Sequence, residues 1–171
     1  MTKSETIISA IQAKLGDLIL DPLSVTELDL SNMGLTEIEE LAEFKNLKKL
    51  NLQGNEITDF SPLSQLTSLE ELNLSNDPQI DTSVHNTIID CEFLRKLSAL
   101  KKINISHTKI TNIDFVEYLP NLESITAICN EISDIFPLRY CPRLKEMNFS
   151  GCRLWDIEVC RYLPMLETVI V

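Results

Sequence analysis

Glycine is scarce in this chain, at only four of 171 residues. Phosphate-binding loops need glycine where the backbone closes around the anion, and no GxGxxG or GxxxxGK motif occurs. The HExxH and GxSxG motifs of metalloproteases and hydrolases are absent as well. The sequence therefore predicts a protein that is not an enzyme, with no catalytic residues, no cofactor and no metal ion.

Basic residues are also in short supply. The chain has 15 Lys and Arg against 26 Asp and Glu, for a net charge of −11. Because nucleic-acid affinity comes largely from cations that neutralise phosphates, we expect no nucleic-acid partner. The same charge disfavours anionic membrane surfaces, and no apolar run approaches the roughly 20 residues of a membrane span.

Cysteine is present, but not in a paired pattern. The five cysteines lack CxxC spacing, and the N-terminus lacks the unbroken apolar stretch of a secretion signal. Free thiols in a reducing compartment fit this pattern best, so we expect a cytoplasmic protein. Export without a cleaved signal stays open as the alternative.

What the chain does have is a repeated unit, seen most clearly at residues 47–68. Leu50 and Leu52 alternate with polar residues, as in a short strand with one face buried. Phe60, Leu63 and Leu66 then recur every three residues, the spacing of a tight helical turn. One such unit cannot bury its own apolar face, so it must stack on copies of itself.

The copies follow in order along the chain. Six units cover residues 25–46, 47–68, 69–99, 100–121, 122–143 and 144–165, and a terminal half-unit covers 166–171. Five of the six have 22 residues. Their strand halves read VTELDL, LKKLNL, LEELNL, LKKINI, LESITA and LKEMNF.

This pattern resembles the leucine-rich repeat family, whose consensus is L-x-x-L-x-L-x-x-N/C-x-L. The short period resembles the subclass of internalins and phosphatase-regulating repeat proteins. The resemblance implies an α/β solenoid with a parallel β-sheet on its concave side and 3-10 or short helical turns on its convex side. It also implies two functions: a protein-binding module or adaptor scaffold, or the regulatory subunit of an enzyme such as a phosphatase.

Residues 1–24 precede the repeats and have the apolar spacing of one helix, which Asp21 and Pro22 end. We predict an N-terminal helical cap over the first repeat, because repeat arrays need their apolar ends covered. A membrane-binding amphipathic helix is the alternative, although the polar face carries few cations.

The ninth residue of each unit should point inward and satisfy buried backbone groups. Counted from the first residue of each unit, these residues are Met33, Asn55, Asp77, Thr108, Asn130 and Cys152. The unit 69–99 is nine residues longer than its neighbours. Apolar residues at helical spacing (Val84, Ile88, Cys91, Leu94 and Leu97) predict an α-helical insertion on its convex side.

Stacking the units in register turns the concave face into columns of side chains. One column alternates Lys48, Glu70, Lys101, Glu123, Lys145 and Glu167, and the next alternates Glu27, Lys49, Glu71 and Lys102. We expect these charges to pair across strands. Beside them lies a polar floor that suits a protein partner. The candidate partner-binding residues are Lys49, Asn51, Gln53, Glu71, Asn73, Ser75, Lys102, Asn104, Ser106, His107, Thr126, Ile128, Cys129, Asn148, Ser150 and Trp155.

Three further features carry alternatives. His107 and Cys129 fall in neighbouring units, but no orienting carboxylate accompanies them, so a catalytic dyad is disfavoured. Trp155 replaces the small rim residues of other units, and either anchors a partner or packs against the next turn. The tyrosines of three YLP or YCP segments (Tyr118, Tyr140 and Tyr162) should stack as a ladder on the flank.

The last segment, LETVIV, predicts a terminal strand with an apolar open edge. Such an edge can pair with another chain. Three outcomes are open: the natural chain continues past Val171, a partner covers the edge, or the protein self-associates there. In the first case, these residues are the repeat segment of a longer multidomain protein.

Overall fold

The computed structural model describes residues 21–76 and 85–171. Within them, seven short strands form one parallel sheet in sequence order. The strands are β1 (Glu27–Asp29), β2 (Lys49–Asn51), β3 (Glu71–Asn73), β4 (Lys102–Asn104), β5 (Ser124–Thr126), β6 (Glu146–Asn148) and β7 (Thr168–Ile170). This confirms the parallel sheet that the repeat pattern predicts.

A 3-10 helix precedes each strand on the opposite side of the solenoid. These helices are Pro22–Ser24, Glu39–Glu43, Ser61–Gln65, Glu92–Lys96, Asp114–Tyr118, Phe136–Tyr140 and Glu158–Tyr162. The three-residue apolar spacing predicts such tight turns, because side chains three residues apart share a face of a 3-10 helix. Consecutive 3-10 helices from Glu39–Glu43 onward pack against each other and form the convex side.

The core is a continuous spine of leucine and isoleucine between the two sides. In the second repeat, Leu50, Leu52, Ile57 and Leu63 are all buried. Strand partners keep one register throughout, so that Leu50 pairs with Leu28 and Leu72 on its two sides. Each apolar residue is therefore covered by its equivalents in the adjacent turns.

The predicted helical cap falls almost entirely on residues 1–20, which lie outside the described residues. Its last residues, Pro22–Ser24, form a 3-10 helix whose N-cap is Asp21; the Asp21 side chain accepts a hydrogen bond from the backbone N–H of Leu23.

The long third unit differs from the prediction. Residues 85–91 are irregular and Glu92–Lys96 is a 3-10 helix, so the α-helix expected there is wrong over its described part. The spacing of Cys91, Leu94 and Leu97 is the apolar triplet that every repeat carries. Phe60 stacks on Phe93 at 5.5 Å between ring centroids, which ties this turn to the preceding one.

Asn86 fills the inward position of the third repeat; Asp77, predicted for that position, lies outside the described residues. Its Nδ2 donates to the carbonyls of Leu52 and Leu74, and its Oδ1 accepts from the N–H of Ile57. The extra residues therefore lie between Asn76 and Asn86. The Asn76 side chain closes this segment, since its Oδ1 accepts from Asn86 N–H and its Nδ2 donates to Asn86 O.

Candidate functional site

The concave sheet holds seven of the sixteen candidate residues in one shallow groove. The groove has a volume of about 590 Å³ and spans β1 to β5. Its floor and walls come from alternate residues of each strand, because successive side chains of a strand point to opposite faces. Lining residues include Lys49, Asn51, Glu71, Asn73, Lys102, Asn104 and Thr126.

The predicted charge pairing is confirmed along the column of residues that directly precede the strands. Glu70 accepts hydrogen bonds from Lys48 at 2.9 Å and Lys101 at 2.6 Å, while Lys145 donates to Glu123 at 2.7 Å. The bonds from Lys101 and then Lys48 lower the pKa of Glu70 to about 2. The bond from Lys145 likewise lowers the pKa of Glu123.

The next column, formed by the first residue of each strand, lines the groove and pairs in the same way. Lys49 lies 3.1 Å from Glu27, and Lys102 lies 3.8 Å from Glu71. The hydrogen bond to Glu27 raises the pKa of Lys49. The charges of both columns are thus paired with each other, and exposed pairs of this kind contribute little to stability.

The floor is a column of asparagine side chains, each held by a hydrogen bond from the backbone N–H two residues further on, just past the end of its strand. Asn51 Oδ1 accepts from Gln53 N–H, Asn104 Oδ1 from Ser106 N–H, and Asn148 Oδ1 from Ser150 N–H, at 3.0–3.1 Å. Because each carbonyl oxygen is used in this way, the Nδ2 amide groups face the groove. Thr126 takes the equivalent position in β5.

Two of the candidate residues support the floor and do not form its surface. Ser75 and Ser106 are both 4 % exposed. Their hydroxyls donate to the Oδ1 atoms of Asn73 and Asn104 at 2.7 Å. The surface that a partner can reach therefore consists of the charge columns, the Asn amide groups of the floor, and the rim around Ile128 and Cys129.

His107 and Cys129 follow their strands at matching positions and share a backbone feature. Both have positive φ, at 59° and 52°, where Gly54 and Gly151 stand in other repeats. Their conformation is thus set by the turn. Among the described residues, no hydrogen bond joins the His107 ring to the Cys129 thiol, so the geometry gives no support to a catalytic pair.

The other four thiols are shielded. Burial raises the pKa of Cys91 to about 11 and that of Cys141 to about 12. Burial also raises the pKa of Cys152 and Cys160. Since the thiolate is the reactive form, these four are poor nucleophiles at neutral pH. All five cysteines are unpaired.

Trp155 stands on the rim with 79 % of its surface exposed. The backbone N–H of Trp155 donates to Ser133 O, so Trp155 takes the rim position that small residues hold in other repeats. The alternative in which the ring packs against the next turn is excluded by this exposure. Beside it lies a second depression of about 660 Å³, lined also by Lys109, Cys129 and Arg153.

The three tyrosines lie along one flank, each about half exposed. Within the described chain no two of their rings touch, so the predicted direct stacking is wrong. Arginines lie over two of the rings instead: Arg95 over Tyr118 at 4.9 Å, and Arg139 over Tyr140 at 4.1 Å from the ring centroids. The third ring, Tyr162, meets Phe136 edge-on at 5.8 Å. The flank is thus built from cation–π and aromatic contacts.

In the described part of the chain, no cluster of three metal-ligating side chains occurs. Within those same ranges, no helix has the length and apolar character needed to cross a membrane.

Comparison with known proteins supports the repeat assignment. The family model described as Leucine Rich repeats (2 copies) matches residues 24–64 and 45–85. No curated protein matches the chain.

Three solved structures show the same fold. An internalin, InlF, from Listeria monocytogenes is 24% identical, with a TM-score of 0.77 over 86% of this chain. The functional domain of InlJ from Listeria monocytogenes is 23% identical, with a TM-score of 0.70 over 90%. A Toll-like receptor, TLR13, solved in complex with ssRNA13, is 26% identical, with a TM-score of 0.67 over 86%.

This chain spans 41%, 33% and 21% of those three chains, less than half of each. The likeness thus concerns the repeat solenoid. Sequence period, family model and solved structures agree: the chain has a leucine-rich repeat fold that resembles that of the internalins.

Proposed function

We propose that the chain is a non-enzymatic protein-binding module that engages a protein partner through its concave sheet and the rim at Ile128, Cys129 and Trp155. The observation that carries the proposal is the groove of about 590 Å³, whose floor of half-buried amides opens to solvent and whose lining charges are already paired. Repeat solenoids create extended concave surfaces of this kind for binding.

The rim adds an anchor to this surface. Trp155 is the only tryptophan of the chain and is 79 % exposed. Tryptophan is enriched among the residues that dominate binding energy at interfaces. The net charge of −11 favours a protein over a nucleic acid, although the related fold of TLR13 was solved with RNA. The unpaired cysteines favour a reducing, cytoplasmic setting for this adaptor.

A triple substitution tests the proposal: Asn104→Asp, Ile128→Ser and Trp155→Ser. Affinity capture from the native lysate, read by mass spectrometry, should lose a specific partner while the thermal unfolding midpoint stays unchanged. A matched control changes the convex flank instead, with Tyr118→Ser and Tyr162→Ser, and should retain the partner. Loss of the partner in the control alone would contradict the proposal.

A further inference from the structure

The rim depression beside Trp155 is a separate surface from the concave groove. Among the described residues, the two have no lining residue in common. The depression has a volume of about 660 Å³ and is lined by the fourth, fifth and sixth repeats. Three charged side chains, Lys109, Glu131 and Arg153, line it together with the Trp155 ring, and all four are exposed. A ligand bound here would therefore be recognised by charge and by an aromatic contact.

The two cations of the depression are not engaged by other side chains. Within the described residues, eight Lys and Arg side chains form ion pairs, and Lys45 donates to Gln65 at 3.2 Å. The basic residues of those ranges that have neither kind of partner are Lys96, Lys109, Arg143 and Arg153. Two of these four line the depression, so its cations are available to a ligand.

Glu131 stands between the two cations in one column of the rim. Lys109, Glu131 and Arg153 recur at intervals of 22 residues. The backbone N–H of Glu131 donates to Ile110 O at 3.0 Å. In the same way, the N–H of Arg153 donates to Ile132 O at 3.2 Å. Because strands bonded in this way lie about 4.8 Å apart, Lys109 and Arg153 are separated by about 10 Å along the solenoid axis.

This column favours one kind of anion. A single phosphate that bridged both cations would lie beside the Glu131 carboxylate and be repelled by it. Two carboxylates about 10 Å apart can each meet one cation and leave Glu131 to accept an N–H group of the ligand. A polyproline II segment provides this spacing, since residues i and i+3 lie on one face about 9.3 Å apart.

Trp155 adds an aromatic contact next to Arg153. The two residues flank Leu154, which packs against the core, and both line the depression. With 79 % of its surface exposed, the Trp155 ring can be covered by an aromatic residue of a ligand. The carboxylate that meets Arg153 should therefore have an aromatic neighbour.

The net charge of the chain does not oppose an acidic ligand at this place. Residues 92–171 carry equal numbers of acidic and basic side chains, so the net charge of −11 lies in residues 1–91. The depression belongs to the fourth, fifth and sixth repeats. Exposed charges farther away than about 8 Å are largely screened at physiological ionic strength.

We propose that the rim depression binds an acidic segment of the protein partner, in which two carboxylates about 10 Å apart pair with Lys109 and Arg153 and an adjacent aromatic residue covers Trp155. This inference rests on the proposed function and specifies the chemistry of the partner at the rim.

Intrinsic fluorescence tests the proposal directly, because Trp155 is the only tryptophan of the chain. The probe is a synthetic peptide that contains Glu-Pro-Pro-Glu-Phe, whose prolines favour the polyproline II spacing. One control peptide has Gln in place of both Glu residues, and a second has Lys in their place. The full chain is titrated with each peptide, and the emission of Trp155 is recorded.

The probe should change the emission of Trp155, and both control peptides should bind at least about tenfold more weakly. Lys109→Met/Arg153→Met should weaken binding of the probe by at least about tenfold. The matched control, Lys96→Met/Arg143→Met, removes two equally unpaired cations outside the depression and should retain the probe. Glu131→Gln removes the repelling carboxylate and should bind the probe about two- to fivefold more tightly.

Equal binding of either control peptide would overturn the proposal, as would unchanged binding by Lys109→Met/Arg153→Met or weaker binding by Glu131→Gln. A lack of any emission change with every peptide would overturn it too. The function is judged separately. If the triple substitution still abolishes partner capture while no acidic peptide binds, the binding surface stands and only the chemistry assigned to the partner at the rim is wrong.

Discussion

The second and sixth repeats follow the same pattern but differ in how far they are covered. In the second, Ile57, Phe60 and Leu63 are at most 3 % exposed. In the sixth, Ile157, which takes the position of Phe60, is 45 % exposed. The strands differ likewise, since Leu50 in β2 is buried whereas Val169 in β7 is 40 % exposed. The apolar residues of a repeat are therefore buried by the neighbouring repeats on both sides. An apolar residue at the same position contributes differently to stability in the second and sixth repeats.

The largest difference is expected when an apolar side chain is shortened to alanine at the same strand position in β5 and in β7. Ile125→Ala in β5 should lower the free energy of unfolding by about 2–5 kcal/mol, the range for large-to-small changes in a packed core. Val169→Ala in β7 should cost less than about 1 kcal/mol, because much of that side chain is already in water. Urea denaturation measures both, and equal losses would break the comparison.

The inward polar positions differ between central and late repeats as well. Asn130 donates to the carbonyls of Ile105 and Ala127 and accepts from the N–H groups of Thr108 and Ile110. In the next repeat, the Cys152 Sγ takes this place with weaker contacts: it donates to Ala127 O and meets the backbone of Asn130 and Ile132.

Asn130→Ala should therefore lower the free energy of unfolding by at least about 1–3 kcal/mol, the cost of leaving a buried polar group unpaired. Cys152→Asn should raise it by up to about 1 kcal/mol through the added hydrogen bonds. Urea denaturation measures the free energy of unfolding of both variants. Destabilisation by Cys152→Asn would show that the sixth repeat cannot accommodate the amide.

The sequence predicts the sheet, its register and both charge columns, because each follows from stacking a fixed period. It misses the position of the insertion. Counting forward from Leu69 assigns Asp77, whereas counting back from the triplet Cys91, Leu94 and Leu97 reaches Asn86. The signal was available, since Asn86-Thr87-Ile88 matches Asn55-Glu56-Ile57.

The candidate site was predicted less well, for a different reason. Periodicity gives the column in which a residue lies but not its depth or its hydrogen bonds. Ser75 and Ser106 are therefore predicted as surface residues although they are buried beneath Asn73 and Asn104. The arginines that lie over Tyr118 and Tyr140 were missed because cation–π geometry depends on rotamers.

Acid titration should distinguish Glu70, which pairs with both Lys48 and Lys101, from the other carboxylates of the charge columns. The pKa of Glu70 is lowered to about 2, so its pairs with Lys101 and Lys48 stabilise the fold above the unfolded carboxyl pKa of about 4.3. This contribution should be lost as the pH falls from about 4.3 towards 2. Lys101→Met should move the Glu70 titration, followed by NMR, to higher pH; an unchanged titration would mean that the pairing is absent in solution.

The smallest effect is expected at the turns after the strands. Cys129 has a φ of 52°, which costs a non-glycine residue about 1–2 kcal/mol, partly offset by the flexibility of glycine in the unfolded chain. Cys129→Gly should thus raise the free energy of unfolding by about 0–1 kcal/mol. Gly151→Ala is the converse, because its Cβ would lie 2.8 Å from the Cys129 Sγ at a φ of 74°. Stabilisation by Gly151→Ala, measured by thermal unfolding, would contradict this reading of the turn.

Photo-crosslinking tests the central claim of a concave binding surface most directly. A benzophenone side chain is placed at Asn104 on the groove floor or, as the matched control, at Ser64 on the convex side, and each protein is irradiated in the native lysate. The account predicts that one partner is captured from position 104 and not from position 64. Capture from position 64 alone would contradict it.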